Sequence, residues 1–397
     1  MLLTPSQSVS SWHLFVIFLR LGCTSFGGPV AHLGYFHHEF VQKRRWYSEQ
    51  GYADIVALCQ FLPGPASSQV GMAIGLNAGG YRGALCAWLG FTLPSALLML
   101  AFAYVYLSVA HAENTLWLSG LKIVALAVVA QALWGMAKNL CPDPARASIA
   151  LLSATIMLLL SAIWLQIAVM LLAAVIGRLV LPKPAVTPCP EVSINPAVTL
   201  GFFLLFILLL LALPLAVSFY DGYWLQLFDI FYRAGALVFG GGHVVLPLLQ
   251  TELVPEGWLT DDGFLAGYGA AQALPGPLFA LASYLGAVTS ASIWLGATIA
   301  TVAIFLPAFL LLFAALPWWQ RLGHYPVVRQ AMAGVNAAVV GLLGAALYDP
   351  VFTSAITQSS DLALAVLAFL ALMYWKIPPY LLVLVAVLAG YVIGIYR

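Results

Sequence analysis

Long apolar segments, separated by short polar ones, fill this chain of 397 residues. A helix that crosses a bilayer needs about 20 predominantly apolar residues, and most of the segments approach that length. The pattern therefore predicts an all-α polytopic membrane protein. The candidate segments are 12–35, 51–80, 83–108, 115–140, 147–161, 164–181, 196–219, 225–249, 262–286, 288–316, 328–348, 361–375 and 377–396.

A motif near the start of the first segment occurs a second time in the chain. The pattern F-x-R-x-G followed by F-G-G begins at Phe18 and begins again 213 positions later, at Phe231. Both copies interrupt an apolar segment with glycines. Matched interruptions in two halves of a membrane protein are typical of secondary transporters.

A second repeated motif follows each first one. The pattern Q-x-x-P-G-P begins at Gln60 and returns at Gln272, with a spacing of 212 residues. Two prolines remove two amide donors and favour the start of a new helix, so each copy predicts a helix break inside the membrane. We therefore expect two homologous halves with broken or re-entrant helices.

The halves are predicted to occupy residues 1–181 and 197–397, the second with an extra leading helix, and 182–196 is a proline-containing linker. Seven candidate segments precede the second repeat, and an odd number predicts inverted repeats. The basic loop Lys43-Arg44-Arg45 favours a cytoplasmic side for the first repeat. Its counterpart, 250–262, has no Lys or Arg.

Composition supports the membrane class and excludes others. Hydrophobic residues make up 63% and charged residues 7% of the chain, with a net charge of +1. Soluble domains contain about 45–50% apolar and about 25% charged residues. No nucleic-acid partner is expected from this charge. No CxxC, nucleotide-binding or haem-ligand pattern is found, so neither an enzyme, a metal site nor a cofactor is predicted.

The two matched arginines are candidate anion ligands. An arginine within the bilayer usually faces a cavity or a partner. Arg233 has Asp229 four residues earlier on the same helix face, so an ion pair is the alternative. Arg20 has Val16 at that position, and snorkelling to the headgroups or neutralisation by Asp54 are its alternatives.

The glycine and proline breaks are candidate anion sites because irregular backbone exposes amide groups. The helix that restarts after each P-G-P presents free amides and a positive dipole end, which bind oxyanions. A mechanical kink is the alternative. The predicted substrate-binding residues are Arg20, Ser25, Gly27, Gly28, Gln60, Pro63, Gly64, Pro65, Ser67, Arg233, Gly240, Gly241, Gly242, Gln272, Pro275, Gly276 and Pro277.

The two P-G-P sites cannot be chemically equal, since Ser67, Ser68 and Gln69 follow the first where apolar residues follow the second. Gln60 and Gln272 either satisfy freed carbonyls or donate to substrate. Six other polar residues are weaker candidates for proton coupling, namely Glu39, Glu252, His32, His37, His38 and His243. The simpler interpretation of the two glutamates is that they are solvated carboxylates in loops.

These motifs resemble the chromate ion transporter family, long bidomain type. The resemblance rests on F-G-G-P-x-A-H from Phe26, R-W at Arg45 and the first P-G-P, and on F-G-G-G, L-P-L and the second P-G-P in the other half. It covers nearly the whole chain. The chain departs from the family in having Gln69 where an acidic residue is frequent, and Leu278-Phe279-Ala280 where threonines are frequent.

The resemblance implies a secondary transporter that moves chromate, a tetrahedral dianion, across the cytoplasmic (inner) membrane. The implied direction is efflux, which would confer chromate resistance. A carrier of sulfate or another oxyanion and an anion channel are the alternatives. The expected partners are the oxyanion and the lipid bilayer, without nucleic acid, and a homodimer is left open.

Overall fold

A computed structural model describes residues 9–26, 28–109, 116–160, 163–182, 196–239, 244–322, 325–383 and 385–386. Helices dominate these residues, and no β-strand occurs among them. The predicted linker 182–196 lies almost wholly outside the described residues, as does most of the last predicted segment, 377–396.

Seven α-helices and a short π-helix (His38–Lys43) form the part of the first half that the structure describes. The predicted segment 12–35 is interrupted, as its glycine-rich motif predicts, and forms two helices because the chain leaves helical geometry at Ser25 and Phe26. The helices are α1 (Ser11–Thr24), α2 (Gly28–His37), α3 (Glu49–Phe61), α4 (Ala66–Val109), α5 (Leu116–Leu140), α6 (Pro144–Leu159) and α7 (Ile163–Val180).

The second half repeats this order after an added helix. Its predicted segment 225–249 is again two helices, separated by the second glycine-rich break. The helices are α8 (Pro196–Phe219), α9 (Tyr223–Leu237), α10 (Val245–Leu253), α11 (Asp261–Ala273), α12 (Leu281–Thr289), α13 (Ile293–Leu322), α14 (Pro326–Ala346), α15 (Thr353–Ala355) and α16 (Ser359–Met373).

Helix α4 folds back on itself at Gly79 and Gly80. Both residues have non-helical dihedral angles, and Gly80 has a φ of 63°, which glycine adopts without strain. Gly75 lies directly against the carbonyl of Gly83. In a straight helix those residues would be about 12 Å apart along the axis. The segment after the first P-G-P is thus one arm of a hairpin.

The second half makes the same hairpin with a different turn. Helices α12 and α13 are joined by residues 290–292, and Gly286 lies against the carbonyl of Gly296. Residues without a side chain are needed at these contacts because the two backbones touch. The short helix that follows each P-G-P is therefore packed against the long helix that comes next.

The two halves are interlocked. Helix α14 of the second half packs against α6 and α7 of the first, while α5 of the first half packs against α11 and α16 of the second. Within each half, α1 packs on α4 and α9 packs on α13. The breaks of both halves are consequently held in one common interior.

Lipid-facing surfaces are visible on the outer helices. Five helical stretches among the described residues are long and apolar enough to cross a membrane, and α8 has leucines exposed along its length. The predicted all-α membrane fold in two homologous halves is confirmed by these helices together with the family comparison given below.

We expect Gly235→Ala to disrupt the contact between α9 and α13. A Cβ at this position would collide with the carbonyl oxygen of Ile304. Overpacking of this kind typically destabilises a protein by about 1–3 kcal/mol. The melting temperature of the detergent-solubilised protein should fall by several degrees. Gly201→Ala is the matched control, because a Cβ there meets nothing within 4 Å; equal melting of the two variants would contradict the close contact.

Candidate functional site

Each P-G-P motif is hydrogen-bonded to the glycine-rich break of the opposite half. The Gly64 amide donates to the carbonyl oxygen of Val238 at 2.7 Å, and the Gly276 amide donates to that of Ser25 at 2.9 Å. Ser25 and Val238 occupy matched positions in the two repeats. The sequence predicts that the four breaks gather, and these reciprocal bonds join them in pairs.

The central glycine of each P-G-P has a backbone that other residues rarely adopt. Gly64 has a φ of 118° and Gly276 a φ of 99°. A Cβ on Gly64 would lie 3.3 Å from that of Ala308, and a Cβ on Gly276 would lie 2.8 Å from the hydroxyl of Ser95. Ser95 and Ala308 are themselves matched positions. Both the dihedral angle and the close approach therefore require glycine.

Buried polar side chains cluster at the breaks of the first half. All are at most 3% exposed, and they come from the end of α1, from α2 and from the first turn of α4. Four of their polar atoms have no hydrogen-bond partner among the described residues. Buried polar atoms are normally hydrogen-bonded to protein, water or an ion, so these atoms are available to a bound polar group. The atoms are Ser25 Oγ, His32 Nε2, Ser68 Oγ and Gln69 Oε1.

The helix start beside these atoms adds backbone donors. The first bonded amide of α4 is that of Gln69, which donates to the Pro65 carbonyl at 2.9 Å. Within the described part of the chain, the amides of residues 66–68 donate to no carbonyl or side chain. Free amides and the positive end of a helix dipole favour an anion at this point.

His32 ties α2 to this helix start. Its Nδ1 lies 3.3 Å from the Ser67 hydroxyl, and the edge of Phe91 packs against the ring with centroids 5.2 Å apart. The imidazole also lies beside the backbone of Ser25. Nδ1 thus has Ser67 as a partner, whereas Nε2 has none among the described residues. We call Ser25, His32, Ser67, Ser68 and Gln69 the polar pocket.

The matched place in the second half is apolar and closed. Phe279, Ala280 and Leu281 replace Ser67, Ser68 and Gln69, and each is at most 2% exposed. The chain there tightens into a 3₁₀ turn in which the Ala280 amide donates to the Pro277 carbonyl at 2.9 Å. The sequence predicts that the two sites differ. In the structure, the first half has buried polar atoms without a partner among the described residues, whereas the second half has a buried apolar turn at the same place.

Arg233 is bound by two carboxylates. It donates to Asp229 at 2.9 Å, as the ion-pair alternative predicts, and makes two bonds to Glu252 at 2.6 and 3.0 Å. The sequence-based expectation that Arg233 supplies a free positive charge is not met in this arrangement, because two negative charges surround it. Arg233 and Glu252 border a cleft that is also lined by Gln166 and Thr251.

Arg20 differs from its counterpart. Its side chain is exposed, and no carboxylate is paired with its guanidinium in the way that Asp229 and Glu252 are paired with Arg233 among the residues that the structure describes. Ser25 of the polar pocket lies five residues further along, about 7.5 Å of helical rise. Arg20 therefore lies on the helix that leads to that pocket.

The remaining predicted site residues divide into three groups. Gln60 is exposed, whereas Gln272 interacts with the hydroxyl of Tyr268, four residues earlier. Gly28 has a φ of 77°, which fits its place at the start of α2. Four predicted residues lie outside the described part of the chain, namely Gly27, Gly240, Gly241 and Gly242.

Ser68, Gln69 and His32 belong to the pocket although the predicted substrate-binding set omits them. The Gln69 Nε2 group donates to the Pro63 carbonyl at 2.9 Å, so Gln69 has the role of satisfying a freed carbonyl that the sequence suggests for Gln60. The signal was present, since Ser68 and Gln69 directly follow Ser67 in the first turn of a helix. The place of His32 could not be read from sequence because α2 and α4 are 35 residues apart at this contact.

The other candidate proton carriers have partners near the surface. His37 contacts Glu49 at 2.6 Å, and His38 contacts Gln42 at 2.9 Å. His243 lies outside the described residues. We therefore leave these histidines out of the site.

Glu39 is the counterpart of Glu252 but pairs differently. It accepts from Arg44 at 2.7 Å and from Lys43 at 3.1 Å, in the segment between α2 and α3. Burial raises the pKa of the Glu39 carboxyl, yet the hydrogen bonds and charges of Arg44 and Lys43 outweigh this and hold the pKa below its ordinary value of 4.5.

A family of known proteins matches both halves. The model of the family described as "Chromate transporter" matches residues 12–178 and 225–391, which leaves the whole of α8 between the two ranges. No solved structure matches the chain.

Curated relatives match either the whole chain or one half. A chromate transport protein of Pseudomonas aeruginosa is 30% identical over 405 aligned positions, covering 96% of this chain and 92% of that protein. One of Cupriavidus metallidurans is 27% identical, with 96% and 92% covered. The uncharacterized transporter YwrA of Bacillus subtilis is 32% identical and matches 42% of this chain with 94% of its own length. A half-length relative is consistent with two homologous halves.

We expect Glu39→Gln to lower stability at neutral pH and to lose this effect in acid. A carboxyl whose pKa is lowered by folding stabilises the folded state above its unfolded pKa, and that contribution disappears as the pH falls through the folded pKa. The wild type should therefore melt above the variant at pH 7. The difference should begin to shrink only below pH 4.5, the ordinary value for the group. A difference that is constant down to pH 3.5 would contradict the pairing with Lys43 and Arg44.

Proposed function

The chain belongs to the chromate transporter family, and from that premise we propose that it moves chromate across the cytoplasmic membrane as a secondary transporter. As a family member it is a membrane-embedded transporter rather than an enzyme, as the sequence predicts. We propose efflux as the direction, with resistance to chromate as its consequence in the cell. The relatives from Pseudomonas and Cupriavidus named as chromate transport proteins support the choice of substrate.

The polar pocket is the proposed chromate site, and the orphaned buried atoms of Ser25, His32 and Ser68 are the observation that carries this assignment. Hydroxyl, ring and backbone N–H groups can donate to the oxygens of a tetrahedral oxyanion. Preorganised neutral donors replace the water lost by the ion without introducing a buried positive charge that must itself be desolvated. Gln69 Oε1 is an acceptor and suits a water or the hydroxyl of a protonated oxyanion.

Arg20 is proposed to attract the anion towards this pocket. Its side chain is exposed and has no ion pair among the described residues, and it lies on α1, which ends just before Ser25. At this distance it acts through its field, so it should contribute to affinity less than a direct donor does. We keep Gly27, Gly28, Gly64 and Ser67 as backbone or side-chain contributors to the same site.

Transport is proposed to proceed by alternating access between inverted repeats. The paired breaks place the pocket at the contact between the halves, where a rocking motion would change its exposure. The apolar turn at Phe279 leaves the second half without a matching pocket. One anion per transport cycle is therefore expected.

We expect Ser68→Ala to weaken chromate transport through its effect on binding. Loss of a hydrogen bond to a charged group corresponds to about 1.5–3 kcal/mol, or about a tenfold or greater rise in KM. The measurement is uptake of radiolabelled chromate into proteoliposomes as a function of its concentration. Ser153→Ala is the control, because Ser153 is a buried serine of α6 outside the pocket. An unchanged KM in Ser68→Ala would contradict the assignment.

The same assay separates the alternatives for function. Saturable flux with counter-transport indicates a carrier, whereas flux that rises without limit indicates a channel. Sulfate that competes with chromate at equal concentration would identify a general oxyanion carrier.

Arg20→Ala should raise the KM by a smaller factor than Ser68→Ala if its charge acts at a distance.

A further inference from the structure

We propose that Asp229, Arg233 and Glu252 form the proton-coupling site of the transporter, with Asp229 as the group that takes up the proton. This inference rests on the proposed transport function and adds its driving ion. We call these three residues the charge triad. They lie in the second half, apart from the polar pocket that binds the anion.

The charge triad holds one more negative than positive charge when both carboxyl groups are ionised. Asp229 and Glu252 share a single guanidinium, and their side chains are only 4% and 17% exposed. Two carboxylates that share a site in low dielectric disfavour double ionisation, so one of them binds a proton more readily. Binding of one proton makes the group neutral.

Asp229 is the carboxyl with room for that proton. Glu252 uses both of its oxygens for Arg233, whereas Asp229 uses only Oδ2. The other oxygen, Oδ1, is buried and has no partner among the described residues. A proton that binds there forms a neutral carboxylic acid and leaves both bonds from Arg233 to Glu252 in place.

Neighbouring helices provide no other charge. Helix α9 packs against α8, α10 and α13. Helix α8 and residues 293–316 of α13 contain no charged residue, and α10 contributes Glu252 alone. The cleft beside the charge triad adds the neutral Gln166 and Thr251, whose side chains lie 3.5 Å apart. The cleft gives the proton a polar route to a group that is otherwise enclosed by apolar residues.

The first half shows that this arrangement is not a requirement of the fold. Its matched positions are Val16, Arg20 and Glu39, and Glu39 pairs with Lys43 and Arg44 instead. A structural ion pair could have been kept in both repeats. The charge triad occurs only where the pocket has been lost, which fits a division between anion binding and proton binding.

The test uses Asp229→Asn in proteoliposomes, with the membrane potential clamped to zero by potassium and valinomycin. Chromate exchange is measured at equal pH on both sides, and net chromate accumulation is measured under a gradient of about one pH unit, which can sustain about a tenfold ion gradient for one coupled proton. The variant should keep exchange within about twofold of wild type and lose gradient-driven accumulation. Glu39→Gln, whose carboxyl is already ionised throughout this pH range, should keep both.

Three results would overturn the proposal. In the first, Asp229→Asn still accumulates chromate in response to the pH gradient. In the second, chromate accumulation by the wild type does not depend on the gradient. In the third, the variant loses chromate exchange as well as accumulation. Infrared difference spectra between acid and neutral pH, recorded without substrate, give a readout that does not depend on transport. A protonated-carboxyl band that is present in wild type and absent in Asp229→Asn supports the site. If that band is present but wild-type chromate exchange is not, the assignment of chromate fails and the proton site stands.

Discussion

Two backbone hydrogen bonds set the arrangement on which the site depends. The amide of Gly64 reaches the break of the second half, and the amide of Gly276 reaches the break of the first. Each bond satisfies a backbone group that the helix break leaves free, and an unsatisfied group in lipid would cost several kcal/mol. Broken helices are therefore tolerated here because each half completes the other. The close approach of Gly64 to Ala308 and of Gly276 to Ser95 further holds these corners against the long helices.

Within this common frame the two halves have different chemistry. The first half surrounds a helix start with hydroxyl groups and a histidine, while the second fills the same place with Phe279 and two smaller apolar residues. The second half instead has an arginine bound by two carboxylates. The first half has an arginine and a glutamate at the matched positions, Arg20 and Glu39, but no second carboxylate. A duplicated unit in which one copy binds the anion and the other the proton would couple the two through the shared backbone bonds. This coupling is a proposal, and the paired breaks are its structural basis.

Much of the fold could be predicted because its signals are local. The offset of the repeated motifs predicts two halves, and the P-G-P motifs predict where helices end. The glycines that follow Phe26 predict the break inside 12–35, and the boundary between 51–80 and 83–108 predicts a turn near Gly80. The direct contact of Gly75 with the carbonyl of Gly83 could not be predicted, because it depends on how the two arms of the hairpin pack. The ion pair of Arg233 with Asp229 follows from helical spacing, but its bond to Glu252 does not, because Glu252 lies 19 residues further along the chain on another helix. The orphaned atoms of the polar pocket are a property of three helices together and could not be counted from sequence.

The position of the bound anion tests the assignment of the polar pocket. Chromium scatters X-rays anomalously, so crystals of the protein soaked with chromate locate the ion. We expect one strong peak within hydrogen-bond distance of Ser68 and the first-turn amides of α4, and its loss in the Ser68→Ala variant. A peak only in the cleft beside Arg233, or equal peaks beside both P-G-P motifs, would rule out this assignment.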